Sequence, residues 1–204
     1  MKKILIIILA IIPMSLVAQI GIKGGINFAN VTGESSINNS SRSGFNGGLF
    51  MAPKPKGLIG FRSEINYSRQ GYDFKTNTNT GNVSLDYILL PQFTTLNLTK
   101  FVQIQAGLQM AFLINASADE TNGNSSEYGK LMDFYNKIDY GLAGGLEIHP
   151  FKGLIIGARY TLSLGNLYKN LESSSMAGNV PSFIPEINVR NNLFSLFAGW
   201  HFAK

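Results

Sequence analysis

The chain contains no cysteine. That excludes disulfides and thiolate metal sites, and it excludes a lipid anchor carried on a cysteine behind a leader. There are only two histidines, His149 and His201. No His, Asp and Glu cluster stands at metal-ligand spacing, so no metal and no other cofactor is expected. No serine sits in a nucleophile-elbow pattern. Long hydrophobic runs are also missing. The longest, Ile4 to Ile12, is well short of the roughly 20 residues that a spanning helix needs, and polar residues interrupt every later one. Gly24-Gly25 and Gly144-Gly145 lie inside extended segments. A phosphate loop would have to lead into a helix N-terminus, which neither pair does.

What is present begins with a leader. Lys2 and Lys3 precede the Ile4–Ile12 run, Pro13 breaks it, and Leu16-Val17-Ala18 offers a small residue before Gln19. This pattern predicts a secretory signal peptide over residues 1–18, cut between Ala18 and Gln19. Residues 19–204 then form one domain. The formal charge of +5 includes the two leader lysines. The mild excess left after their removal is no argument for nucleic acid.

The most patterned stretch is Lys137 to Gly165. Its even positions Ile138, Tyr140, Leu142, Leu146 and Ile148 are apolar, as are Leu154, Ile156, Tyr160, Leu162 and Leu164. Its odd positions carry Lys137, Asp139, Glu147, His149, Arg159, Thr161 and Ser163. A period of two means two strands with one greasy and one polar face, joined at Pro150 and Gly153. Similar segments are expected at Ile20–Asn30, Gly44–Ala52, Leu58–Arg69, Asn82–Asn97, Phe101–Ala116 and Val189–Phe202. That makes eight strands. Long polar links alternate with short turns, as in bacterial outer-membrane barrels. In the fourth segment Val83, Leu85, Tyr87, Leu89 and Phe93 share the apolar face. Pro91 cannot donate to the ladder, so a bulge is expected beside it.

A soluble barrel of lipocalin type would show the same period with its faces exchanged. Charge decides between the two. Arg62, Glu64, Glu147 and Arg159 fall near strand middles, where facing lipid would cost roughly 2–4 kcal/mol for a basic residue. In a narrow lumen they can pair, Arg159 with Glu64. The expected fold is therefore all-β: an eight-stranded antiparallel up-and-down transmembrane β-barrel in the Gram-negative outer membrane. Phe93, Trp200 and Phe202 would mark its periplasmic interface, and Tyr67 and Tyr140 its outer one. His149 and His201 fall at the periplasmic rim, where they are expected to face water.

GIKGGINFAN after the leader resembles the PorT-like outer-membrane β-barrel family of Bacteroidota. So do LDYILLPQF, DYGLAGGLEI, ARYTLSLGN and FSLFAGWHF further along the chain. The resemblance spans essentially all of residues 19–204 and implies a small eight-stranded barrel. The family takes its name from a member linked to export of secreted proteases. The expected function is non-enzymatic: structural, accessory to export or envelope maintenance, or loop-presenting. A surface binding protein using the long outer loops, a small pore and a lipid-modifying barrel enzyme are the alternatives. Expected partners are outer-membrane lipid, the outer-membrane assembly machinery and a periplasmic or extracellular protein, with no nucleic acid.

Overall fold

The computed structural model describes residues 18–32, 40–53, 57–75, 80–120, 132, 134–169 and 189–202. Within them the alternating segments form β1 (Ala18–Thr32), β2 (Ser40–Pro53), β3 (Ile59–Lys75), β4 (Thr80–Asn97), β5 (Val102–Glu120), β6 (Ile138–Ile148), β7 (Leu154–Ser163) and β8 (Arg190–His201). Each strand is antiparallel to its chain neighbour. β8 pairs back onto β1, so the sheet is a closed eight-stranded barrel. Closure removes the free edges that an open sheet would expose. Of the expected signal peptide, residues 1–17 lie outside the described residues. Ala18 and Gln19 open β1 opposite Pro53 and Ala52.

Strand periodicity sorts the side chains. Ile22, Ile26, Leu49, Ile65, Leu108 and Leu142 stand on the outer surface, about half exposed. A continuous apolar surface of this extent needs lipid rather than water around it. The links after β2, β4 and β6 all leave from one end, so differences in strand length show only at the other. β6, β7 and β8 have 11, 10 and 12 residues, about what crossing a bilayer requires. β3, β4 and β5 have 17, 18 and 19, and overshoot it. At the top of the outer belt, Arg69, Asp86 and Asn115 form an outward polar rung across these three strands. Arg69 Nε donates to Asp86 Oδ1 at 2.9 Å and Asn115 Nδ2 to Asp86 Oδ2 at 3.1 Å.

β4 departs from the sequence pattern. Val83, Leu85, Tyr87, Leu89 and Phe93, expected outside, all line the lumen and are buried. This strand is apolar on both faces, because Ile88 and Leu90 occupy the alternate positions. Periodicity therefore cannot choose its phase, but pairing can. Phe93 lies directly opposite Arg62 and Leu89 opposite Asn66. Cross-strand partners share a face, so the inward polar residues of β3 carry the apolar set of β4 inside with them. The bulge expected beside Pro91 is absent. The β3–β4 pairing skips Glu64 and Ile65 and resumes in the same register, and β4 runs past Gln109 of β5 without a shift. Proline withholds a hydrogen bond, but its φ suits an extended strand. The irregularity lies higher, where Asp86 pairs with Asn115 and Tyr87 with Leu113, leaving Ile114 extra on β5.

Glycine serves the interior at one position in particular. A Cβ on Gly157 would come 2.5 Å from the Phe197 ring and 2.9 Å from Glu147 Cγ. Only a residue without one lets those two side chains cross the lumen there.

Candidate functional site

The distinctive chemistry of the described residues lies in the lumen. Alternate residues of β3, from Arg62 through Glu64, Asn66, Ser68 and Gln70 to Tyr72, point inward in sequence and form a polar spine. Three layers are built on it.

The lowest layer is ionic. β7 stands across the barrel from β3 and supplies Arg159. Its Nη1 donates to Glu64 Oε2 at 2.8 Å and its Nη2 to Glu64 Oε1 at 3.0 Å, a bidentate pair. Nη2 also reaches Gln105 Oε1 at 2.8 Å. Arg62 donates through Nη1 to Glu147 Oε1. The pairing expected between Arg159 and Glu64 is thus the geometry seen. Arg62 and Glu147 form a second pair beside it, and all four side chains are buried.

Lys23 of β1 joins them. Its Nζ lies 2.6 Å from Glu64 Oε2. The sequence places Lys23 on the inward face, out of phase with Ile22 and Ile26, so the alternation that found the other four also points to it. Aromatic rings back the cations. Arg159 lies 4.1 Å from the Phe93 ring centroid, Arg62 4.7 Å from that of Phe50, and Lys23 4.5 Å from that of Phe197. This contact explains Phe93 better than an interfacial role. The ring faces a guanidinium in a low-dielectric lumen, where cation–π attraction is strongest.

The two histidines lie at the short-turn end as expected, but they turn inward and are only partly exposed. His149 Nε2 is 3.5 Å from Glu147 Oε2, and the His201 ring packs edge-on against Phe50 at 4.5 Å. Both follow odd-numbered inward positions in their strands, so the alternation carries them into the barrel. Trp200 and Phe202 point outward at that end, and Tyr140 outward near the other; Tyr67 is half-buried on the outer face.

The middle layer is an amide and hydroxyl column. Asn46 Nδ2 donates to Asn27 Oδ1 at 2.6 Å, Asn27 Nδ2 to Ser68 Oγ at 2.7 Å, and Ser195 Oγ to Asn27 Oδ1 at 2.9 Å. Above them Gln70 links Ser68 to Asn191.

The top layer is apolar with a hydroxyl hub, and the sequence gives little sign of it. Segments 134–136 and 167–169 leave the barrel wall and fold over its mouth. Asn136 N donates to Leu167 O at 3.0 Å and Lys169 N to Phe134 O at 3.0 Å. They bring Phe134, Tyr135, Leu167 and Tyr168 onto Tyr72, Val83, Leu85 and Leu113. At the centre the Tyr72 hydroxyl meets those of Tyr135 at 2.7 Å and Tyr168 at 2.5 Å. Burial pushes the Tyr168 phenol up to about 12.

Among the described residues no group of three His, Asp or Glu side chains could hold a metal ion. The arrangement binds charge to charge and fills the lumen.

Residues 15–169 match the family described as outer membrane protein beta-barrel domain. A search of curated proteins finds no match. Among solved structures, Neisserial surface protein A is similar at 15% identity with a TM-score of 0.55, covering 90% of this chain and 97% of that one. Ail, the attachment invasion locus protein of Yersinia pestis, is 14% identical with a TM-score of 0.48, covering 91% and 99%. OprG from Pseudomonas aeruginosa is 11% identical with a TM-score of 0.47, covering 93% and 98%. At these identities the likeness to Neisserial surface protein A is one of fold alone. The family match, the closed barrel and its apolar belt agree: the chain belongs to the outer membrane protein beta-barrel domain family and resides in the Gram-negative outer membrane.

Proposed function

We propose that this barrel is a closed, non-enzymatic scaffold that presents surfaces on either side of the membrane and passes nothing through its lumen. The observation that carries the reading is the stacked lumen filling, ionic below and tyrosine-capped above. An eight-stranded barrel is only wide enough for its side chains to fill, and here they meet across it. The position of the histidines also favours a non-enzymatic role. A serine–histidine pair acting on lipid would belong near the outer leaflet, whereas His149 and His201 are held inside the periplasmic end. The finer assignment to PorT-like barrels rests on the sequence resemblance. It places the protein with accessories of export or envelope maintenance, with the outer-membrane assembly machinery and a periplasmic protein as partners. The test is conductance: purified protein in planar bilayers is expected to give no steady channel. Reproducible channels from wild-type protein would reject the scaffold in favour of a pore.

One observation favours a second reading, a surface binding protein. β3, β4 and β5 continue beyond the apolar belt, past the Arg69–Asp86–Asn115 rung, and carry a rigid wall outward. Masking that wall by an antibody should then block attachment of whole cells to a host surface. It should leave crosslinking to periplasmic proteins untouched.

A further inference from the structure

Among the described residues the lumen filling does not balance electrically. Lys23, Arg62 and Arg159 are three buried cations, and Glu64 and Glu147 are the two buried carboxylates they meet. Glu64 carries the heavier load, with Lys23, both terminal nitrogens of Arg159 and, at 3.8 Å, Arg62 around it. A cation in excess inside a low-dielectric barrel is costly unless something offsets it. Asp139 does not do so. It faces the next cavity up and is engaged by Ser163 Oγ at 2.8 Å and the Tyr140 backbone N–H at 2.8 Å.

Directly beside the surplus is a cavity of about 20 Å³, lined by Lys23, Arg159, Asn27, Asn46, Thr161 and Ser195 among others. One water-sized particle needs roughly 10–15 Å³ on this measure. The cavity is therefore too small for a phosphate or a sulfate, and of the right order for a halide ion. Its wall carries donors from Lys23 and Arg159 beside one unpartnered acceptor, Asn66 Oδ1. Lys23 has three ammonium hydrogens and its bond to Glu64 uses one. Arg159 Nε is buried and has no hydrogen-bond partner among the described residues.

We propose that this mid-lumen cavity binds one small monovalent anion of halide size, held by Lys23 and Arg159, as the missing counter-charge of the plug. Because its wall is assembled from side chains of several strands that meet only when the barrel closes, the anion is taken up as the barrel folds. Chloride is the form at hand wherever the protein folds in saline.

The test is to refold the protein in detergent in sodium bromide, sodium chloride or sodium gluconate at one ionic strength near roughly 0.15 M. Gluconate is too large for the cavity. Crystals from bromide are expected to show an anomalous peak within the cavity, between Lys23 and Arg159. No peak there overturns the proposal, and so does a peak seen only at molar bromide, which would be an adventitious ion only. In solution, chloride is expected to raise the urea midpoint of the wild type above its value in gluconate. Lys23→Met leaves two cations facing two carboxylates and should lose the difference, while Lys23→Arg keeps it. Equal responses of wild type and Lys23→Met overturn the proposal. If Lys23→Met does not fold, the bromide position in the wild type decides.

Discussion

The lower and upper halves of the lumen are filled by opposite means. Below, Lys23, Arg62, Glu64, Glu147 and Arg159 are locked by charge and geometry. Above, Tyr72, Val83, Leu85, Tyr135 and Tyr168 are packed by apolar burial and tied by three hydroxyls. Buried ion pairs gain little over an apolar filling but are severe when half-broken, because the partner is left charged and dry. Apolar layers lose stability in proportion to what is removed. The halves also differ in what holds them. Every member of the ionic layer comes from a strand of the wall. The cap borrows Tyr135 and Tyr168 from segments outside the main ladder, joined by a single isolated bridge. The lower plug is therefore part of the barrel, and the upper one is a lid resting on it.

The largest effect that would break this contrast is at Arg159. Arg159→Ala strips Glu64 of its bidentate partner and Gln105 of a donor, and should lower stability in urea unfolding by about 3–5 kcal/mol. A loss under about 1 kcal/mol would mean that the ionic layer is no more than solvated charge. Tyr72→Phe comes next. It removes the hub hydroxyl from two buried hydrogen bonds and should cost about 1–3 kcal/mol. Hydrogen exchange should speed up at the Leu167 and Lys169 amides and stay slow in the β1–β8 ladder. Uniform acceleration would make the cap part of the wall.

Alkali should separate the halves more gently. The phenol of Tyr168 ionises near the ordinary tyrosine value of about 10 when unfolded and about 12 when capped. The cap thus has its full stability below pH 10 and loses it as the pH rises to 12. Near-ultraviolet dichroism of the tyrosines should fade in that window while the far-ultraviolet strand signal persists. Ionisation of Tyr168 near pH 10, with no shift, would contradict its burial. The smallest effect is optical. Brominated lipid should quench Trp200, which faces outward. A single tryptophan at Phe93, in a Trp200→Phe background, should be shielded. Equal quenching would return Phe93 to the lipid face.

The barrel was legible in the sequence because its period is simple. Lys137–Gly165 names its own two faces, and the charges at Arg62, Glu64, Glu147 and Arg159 say which face is inward. Pairing of Arg159 with Glu64 follows from strand count, since the third and seventh of eight strands stand opposite. β4 was not legible, because Ile88 and Leu90 make its second face as greasy as its first and only cross-strand register resolves it. His149 and His201 were placed beside the short turns, but the turn nearby masked their inward phase. The tyrosine hub was invisible for a different reason. Tyr72, Tyr135 and Tyr168 are brought together from three distant stretches, two of them irregular, and nothing in local spacing records such a meeting.

The unequal strands give the molecule a heading. β5 has nine residues more than β7, which at about 3.3 Å per residue is roughly 30 Å along a tilted strand. Among the described residues the strand ends are therefore slanted, high in β3, β4 and β5 and low in β6, β7 and β8. A body of revolution in a fluid membrane offers every neighbour the same profile. The described strands of this one stand tall on one flank and short on the other. A partner that docks on the tall sheet of β3, β4 and β5 must find that flank, so rotation of the barrel about its own axis becomes a variable that encounters can select.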